Sequence, residues 1–364
     1  MATIAPPQPV ENVQADPTKL ENFMHKMVGD MAAAMSGSLV ITGVKLGLYG
    51  KLTSLGQVTS QELADGLGLD ERYVREWLSA QAASGFVDYD GETKRFSMNA
   101  EQAMALANED SPVYVAPAFE LIASAYIDEP KITDAFLSGA GVGWHEHHEC
   151  LFRGCEKFFR PGYRANLVTA WLPSLHGVVD KLEHGAKVAD IGCGAGASTI
   201  IMAGAFPNSE FIGFNYHDKS IERAREAARE AGDLPNARFE IAKAKEAPGG
   251  GFDLICCFDC LHDMGDPVGA AKHVHEMLKP DGTFMIVEPM AGDNLTDNLN
   301  SVGRMYYSAS TMICTPGSKA QEVGLALGAQ AGEARMRDVL TEAGFSSVRR
   351  AAETPFNLVI EARQ

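Results

Sequence analysis

Two segments hold residue types at spacings that can do chemistry. The first is Val188-Ala189-Asp190-Ile191-Gly192-Cys193-Gly194-Ala195-Gly196, an apolar run that ends in three alternate glycines. A buried strand ending this way can turn tightly, bring its backbone close to a ligand and present the unpaired amides of the helix that follows. The turn alone does not choose between a nicotinamide cofactor, another ligand and a purely structural role. The second segment is Asp259-Cys260-Leu261-His262-Asp263-Met264, which follows the apolar stretch FDLICCFD. In sheets of alternating strands and helices the ligand crevice lies at the carboxyl ends of the strands, where this segment falls. An imidazole with an unperturbed pKa of about 6.5 can take a hydroxyl proton near neutral pH, and His262, with Asp263 beside it, is the candidate. The alternative is a satisfied polar residue at a helix cap. Glu288, ending the next apolar run, is placed to orient His262 or to bond the backbone nearby.

Other clusters point less clearly. Trp144-His145-Glu146-His147-His148-Glu149-Cys150 gathers imidazoles beside a thiol, a set that can ligate zinc. Neighbours in an extended segment point to opposite sides, and no second cluster has matching spacing. A pocket wall or a solvated polar turn is the preferred reading, and no metal is expected. Between Ala291 and Gly332, Tyr306, Tyr307, Met312, Cys314 and Gln321 mix apolar and polar groups as small-molecule pockets do. Packing against the N-terminal module would explain them equally well.

The elements that must position these residues follow from periodicity. From KVADIGC onward, strand and helix patterns alternate through EFIGFN, RFEIAKA, FDLICCFD and GTFMIVEP, which predicts an α/β, doubly wound parallel sheet. SSVRRAAE and FNLVIEAR follow without an intervening helix and predict a terminal hairpin at the sheet edge. Earlier in the chain, Thr59-Ser60-Gln61-Glu62 can cap a helix, Gly68 a turn, and Asp70 to about Ser84 a second helix. Phe86 to Tyr89 and Arg95 to Met98 then read as a hairpin, so this part is a winged helix. Before it, Phe23, Met27, Met31, Met35, Leu39 and Val40 mark one helical stripe, fit for intradomain core or for a dimer interface. The divisions expected are a disordered tail over 1–19, a winged-helix dimerisation domain over 20–108, a connector over 109–157 broken by Pro112, Pro117 and Pro130, and a catalytic domain over 158–364 with an insertion at 291–332.

Composition excludes some partners. The net charge is −17, and between Gln57 and Met98 eight acids oppose four bases. Phosphate neutralisation supplies most non-specific nucleic-acid affinity, so the winged helix is not expected to bind DNA. No uninterrupted apolar run reaches the ~18 residues of a membrane span. Seven cysteines without a framework spacing suit reduced thiols and a cytoplasmic enzyme.

DxGxGxG, GFN, FDxxxxFDxLHDMGDP, LKPDG and VEP occur in register across Val188 to Pro289. Together they resemble the winged-helix class of class I S-adenosylmethionine-dependent small-molecule methyltransferases, in an actinobacterial-type branch with FFRPGYRANL ahead of the glycine turn. The resemblance implies a Rossmann-like domain, S-adenosylmethionine as methyl donor and a small-molecule acceptor; the homodimer is expected from the apolar helix between Phe23 and Val40. It places the donor's amino-acid part against Asp190, Gly192, Gly194 and Gly196, with Arg160 and Tyr163 toward its carboxylate. His262 matches the general base of the family's L-H-D-W segment, with Asp259 on the donor side, although Met264 replaces the tryptophan. Asn215 stands where the family carries an acid for the ribose hydroxyls, with Tyr216 as adenine neighbour; Lys243 and Ala244 would contribute through their backbone. N-methyl transfer by proximity and a cofactor-sensing DNA-binding regulator are the rival functions.

Overall fold

The computed structural model describes residues 15–364, which form two compact units, one up to Ala123 and one from Ser124 to Gln364. Most of the expected tail lies outside the described residues. Its end does not: Asp16 caps helix α1 (Pro17–Lys45) by accepting from the amides of Thr18 and Lys19 at 2.9 and 3.2 Å. A proline at the first helical position, where its missing N–H costs nothing, starts the helix earlier than its apolar stripe suggests.

In the first unit α1 is followed by α2 (Leu48–Leu55), α3 (Ser60–Leu67), α4 (Glu71–Ala83), the hairpin β1 (Asp88–Asp90) and β2 (Arg95–Ser97), and α5 (Ala100–Leu106). Thr59 and Glu62 form the expected capping box, and Gly68 closes α3 in the left-handed conformation at φ +66°. Leu52, Leu63, Val74, Trp77, Leu78 and Phe96 build the core. Three of the four bases are already paired with acids of the same unit: Arg72 with Glu76, Arg75 with Glu71, and Arg95 with Glu62. These pairs leave little positive charge for a phosphate backbone.

The stripe on α1 divides. Val40 is fully buried, whereas Phe23, Met31 and Met35 are 58%, 66% and 76% exposed. Intradomain core is therefore not their role. By length and composition α1 could cross a membrane, because its few charges leave a long apolar window that a search for an unbroken run misses.

The unit boundary falls inside α6 (Ala118–Ser138), a continuous helix that keeps Pro130 in its interior, so the connector is less broken than its prolines imply. The second unit continues through α7 (Cys150–Asn166), which starts ahead of the expected domain edge at 158, and α8 (Val178–His184). Strands β3 (Lys187–Ile191), β4 (Glu210–Asn215), β5 (Ala237–Ile241), β6 (Phe252–Phe258) and β7 (Leu278–Pro289) pair in parallel. Helices α9 (Ala197–Ala205), α10 (Asp218–Glu230) and α11 (Pro267–Met277) connect them. The insertion supplies α12 (Ser301–Ala309), a π-turn over Ser310–Cys314 and α13 (Thr315–Lys319), before α14 (Gly332–Glu342).

The closing hairpin, β8 (Ser347–Glu353) and β9 (Asn357–Arg363), completes a sheet of order β5-β4-β3-β6-β7-β9-β8. The last strand, β9, thus lies inside the sheet, antiparallel to β7, and β8 forms the edge. Burial explains this: Leu358 to Ala362 are all 1% exposed or less, while β8 has no fully buried residue. Strand order reverses between β3 and β6, which opens the crevice at their carboxyl ends.

Gly43 tests the packing of the first unit. A Cβ there would meet Trp77 Cζ2 and Tyr49 Cε2, both at 2.6 Å. Both rings are tethered, Trp77 donating to Leu39 O at 2.9 Å and Tyr49 to Gln81 at 2.7 Å. Gly43→Ala should destabilise the protein by about 1–3 kcal/mol in denaturant unfolding through overpacking. Gly29→Ala on the same helix meets nothing within 4 Å and should be neutral or stabilising.

Candidate active site

The glycine turn leaves β3 and enters α9 through three left-handed residues, Gly192, Gly194 and Gly196, at φ +76°, +53° and +80°. Two of the three are also needed for close approach. A Cβ on Gly192 would meet Cys260 Sγ at 2.6 Å, and one on Gly196 would meet the Phe239 ring at 2.7 Å. Around Gly194 there is nothing within 4 Å, so the middle of the turn faces open space. Asp190, 1% exposed, accepts from Ser198 Oγ and Thr199 Oγ1 through Oδ2, both at 2.6 Å. Its Oδ1 is buried without a hydrogen bond. Burial raises the carboxyl pKa to about 6, although the two hydroxyls pull it down. An unmatched acceptor beside an open glycine turn fits the ammonium and carboxylate of an amino-acid ligand.

The ends of β4 and β5 lie side by side, with the Ala242 amide donating to Asn215 O at 3.1 Å. Asn215 Oδ1 accepts from the His217 amide at 2.9 Å, a local turn that occupies the acceptor half of the side chain. This leaves the Nδ2 donor and the second lone pair of Oδ1 for a ligand. Tyr216 is 43% exposed at the same edge. Lys243, at the end of β5, is exposed and sits 3.8 Å from Glu246, while Ala244 packs on the core. Arg160 does not join this group. It lies on the exposed side of α7, and its charge is felt, after that of Arg223, by Glu230 at the far end of α10.

Tyr163 turns inward from α7, donating to Asp259 Oδ2 at 3.0 Å, and Asn357 Nδ2 donates to Asp259 Oδ1 at 3.0 Å. Both oxygens of Asp259 are thus used within the protein, on a residue at φ +50°. Burial, and then the Glu288 charge, raise its pKa to about 8. Tyr163 and Asp259 thus anchor each other at the carboxyl end of β6. Asn357 had no signal in the sequence, being 98 residues away at the start of β9.

His262 occupies a 3₁₀ turn (Leu261–Asp263) directly after β6 and is 3% exposed. Its Nδ1 is hydrogen-bonded to Glu288 Oε2, and Glu288 Oε1 accepts from the Leu261 and His262 amides at 3.1 and 3.4 Å. Glu288 thereby contacts both the ring and the backbone of this turn. Nε2 lies 3.0 Å from Asp263 Oδ1, close enough for charge contact but out of line for a hydrogen bond. Burial opposes the imidazolium, yet the flanking Asp263 and Glu288 charges prevail and hold the His262 pKa well above its ordinary value.

The insertion clamps this turn. Gln321 binds Asp263 O and the Gly265 amide, and Ser318 Oγ donates to Met264 O at 2.9 Å. Tyr306 is buried and tied to Phe356 O at 2.8 Å, whereas Tyr307 and Met312 are half-buried.

The histidine-rich segment resolves differently. His147 is buried against Asp128, Nδ1 to Oδ2 at 3.1 Å, and Phe152 packs against His217 in a tilted arrangement at 4.9 Å between ring centres. Among the described residues, no three metal-type ligands converge at 145–150.

Comparison with known proteins agrees with this architecture. A methyltransferase domain family matches residues 182–344, and an Rv2258c-like winged HTH domain matches residues 33–108. An uncharacterised methyltransferase of Bacillus subtilis is 31% identical over 129 residues, 34% of this chain and 49% of that protein. The 27-O-demethylrifamycin SV methyltransferase of Amycolatopsis mediterranei is 33% identical over 119 residues, 30% of this chain and 43% of that protein. The chain therefore spans less than half the length of these two relatives. Human N-acetylserotonin methyltransferase, solved with S-adenosylmethionine, superposes with a TM-score of 0.69 at 14% identity, covering 97% of this chain and 99% of its own. Mitomycin 7-O-methyltransferase gives 0.67 at 19%, covering 95% and 100%. The chain thus carries a methyltransferase domain and an Rv2258c-like winged HTH domain, and it shares its fold with solved methyltransferases of the winged-helix class.

Proposed function

We propose that the protein transfers a methyl group from S-adenosylmethionine to a hydroxyl of a small molecule, with His262 as general base. The observation that carries this reading is the Glu288–His262 hydrogen bond at the carboxyl end of β6, which fixes the ring so that only Nε2 can meet an acceptor. The O-methyltransferase activity named for the mitomycin enzyme of the same fold supports an oxygen acceptor.

The donor would be held by Asp190 Oδ1 and the Gly192–Gly196 turn at its amino-acid end, with Asn215 Nδ2, Tyr216 and the Lys243–Ala244 backbone toward its nucleoside. When bound, the sulfonium supplies an electrophilic methyl, and the protein's own task is alignment and proton removal. Asp263 faces Nε2, so the acceptor hydroxyl must displace it. The Asp263 charge favours the imidazolium, which cannot accept a proton until it ionises. The α1 stripe of Phe23, Met27, Met31 and Met35 supports a homodimer, because a row of exposed apolar residues on one helix suits self-association. The seven cysteines, all unpaired, support a reducing, cytoplasmic setting.

Gly194→Val should abolish S-adenosylmethionine binding in calorimetry. It forces a β-branched residue to φ +53° and fills the open middle of the turn. Retained affinity would remove the donor site from this turn.

His262→Ala should lower turnover by ~10²-fold or more with little change in donor affinity. Only the neutral imidazole accepts a proton, and its pKa is raised, so turnover should climb with pH through a value above about 6.5. Asp263→Asn removes one flanking charge and should move that limb to lower pH. A limb at the same pH in wild type and Asp263→Asn would show that His262 is not the titrating base.

In light scattering the chain should run at twice its 39.0 kDa mass, and Phe23→Glu with Met31→Glu should reduce it to one. A wild-type protein that is monomeric, or that sediments with lipid vesicles, would exclude α1 as a subunit interface.

A further inference from the structure

We propose that His262 Nε2, Asp263 Oδ1 and Cys314 Sγ form a binding site for a thiophilic divalent cation, zinc foremost. One ligand atom from each of the three residues lies within 4.8 Å of the others. His262 Nε2 and Asp263 Oδ1 are 3.0 Å apart, and the oxygen is buried without a hydrogen bond. An ion bound at about 2.0–2.3 Å to nitrogen, oxygen and sulfur holds those atoms roughly 3–4 Å from one another, so modest side-chain adjustment completes the set.

The surroundings are those of a metal centre as well. A ligating histidine usually donates its second ring nitrogen to a carboxylate, which fixes the tautomer and leaves the other nitrogen for the ion. Glu288 holds Nδ1 in that way. Cys314 is 7% exposed and ends the π-turn Ser310–Cys314, a backbone irregularity often found where a helix aims a side chain into a site. Gln321 and Ser318 hold the Asp263–Met264 backbone against α13, which begins directly after Cys314. A nitrogen, oxygen and thiolate donor set favours zinc over magnesium or calcium, which prefer oxygen alone. Three protein ligands leave a fourth position for water. The Asp263 side chain is 28% exposed and provides a path for entry.

The consequence rests on the proposed role of His262. A cation on Nε2 occupies the lone pair that would take the acceptor proton, so cation and acceptor compete and zinc inhibits methyl transfer. Its release by a chelator restores the rate.

Cobalt(II) is the probe, added to the full chain after dialysis against chelator. We expect one equivalent per chain, with visible bands of tetrahedral cobalt and a near-ultraviolet thiolate charge-transfer band. Cys314→Ser should remove the charge-transfer band and weaken binding at least tenfold. Cys150→Ser, outside the cluster, should keep both. Glu288→Gln should weaken binding by about 10–100-fold through loss of ring orientation. Absence of bound cobalt, or a charge-transfer band that survives Cys314→Ser, overturns the site. Zinc should slow turnover of the wild type and slow Cys314→Ser much less, each relative to its own metal-free rate. Equal sensitivity of the two also overturns it. The spectra need no turnover, so cobalt bound as described in a chain that methylates no hydroxyl would refute the proposed function and leave the site standing.

Discussion

Three carboxyl groups, Asp190, Asp259 and Glu288, lie at the carboxyl ends of the neighbouring strands β3, β6 and β7, the first and last of them buried and Asp259 half-buried, and the fold must hold them with little access to bulk water. Each is accommodated in a different way. Asp190 accepts two hydroxyl hydrogen bonds and keeps one oxygen unmatched. Asp259 is pushed toward its neutral form, with Tyr163 and Asn357 filling its oxygens. Glu288 is hydrogen-bonded to the His262 ring and accepts from the Leu261 and His262 amides. A buried charge without a partner is strongly unfavourable, whereas a paired one can be retained. The result is a gradient of protonation preference across a few strand ends, with the unmatched acceptor on one side and the poised imidazole on the other.

That gradient depends on two loops staying in contact. Cys260 Sγ donates to Ile191 O at 3.2 Å and fills the space that a Gly192 side chain would need. The glycine turn and the His262 turn are therefore built against each other rather than independently. The insertion adds a second restraint through Gln321 and Ser318, so the His262 segment is gripped from the sheet below and from α13 beside it. In-line methyl transfer needs little covalent help from a protein, and most of its rate comes from holding two reactants in register. A turn fixed from two sides suits that demand.

The first unit combines a winged-helix shape with an acidic surface. Its helix, turn, helix and wing are intact, and its arginines pair with neighbouring acids at the surface. Its conspicuous free surface is instead the apolar stripe of α1. Exposed ion pairs contribute at most about 1 kcal/mol each to stability, so their stronger effect is on the electrostatic field the unit presents.

The sequence alone determined what is local. Strand and helix alternation, the capping box at Thr59, the winged-helix order and the glycine turn all follow from residues within a few positions of one another. The pairing of His262 with Glu288 was also legible, because both sit at the ends of apolar runs whose parallel register brings those ends together. What joins distant segments was not. Asn357 reached Asp259 only because β9 inserts between β7 and β8, a choice made by burial of both its faces. Cys314 came to His262 through a π-turn, whose single extra residue leaves no periodic signature. Arg160 and Tyr163, three residues apart on α7, were read as one pair, and the helix sent one to solvent and the other into the core. The intrinsic chemistry of each side chain is written in the sequence, whereas its pKa and its partner are set by what the fold packs around it.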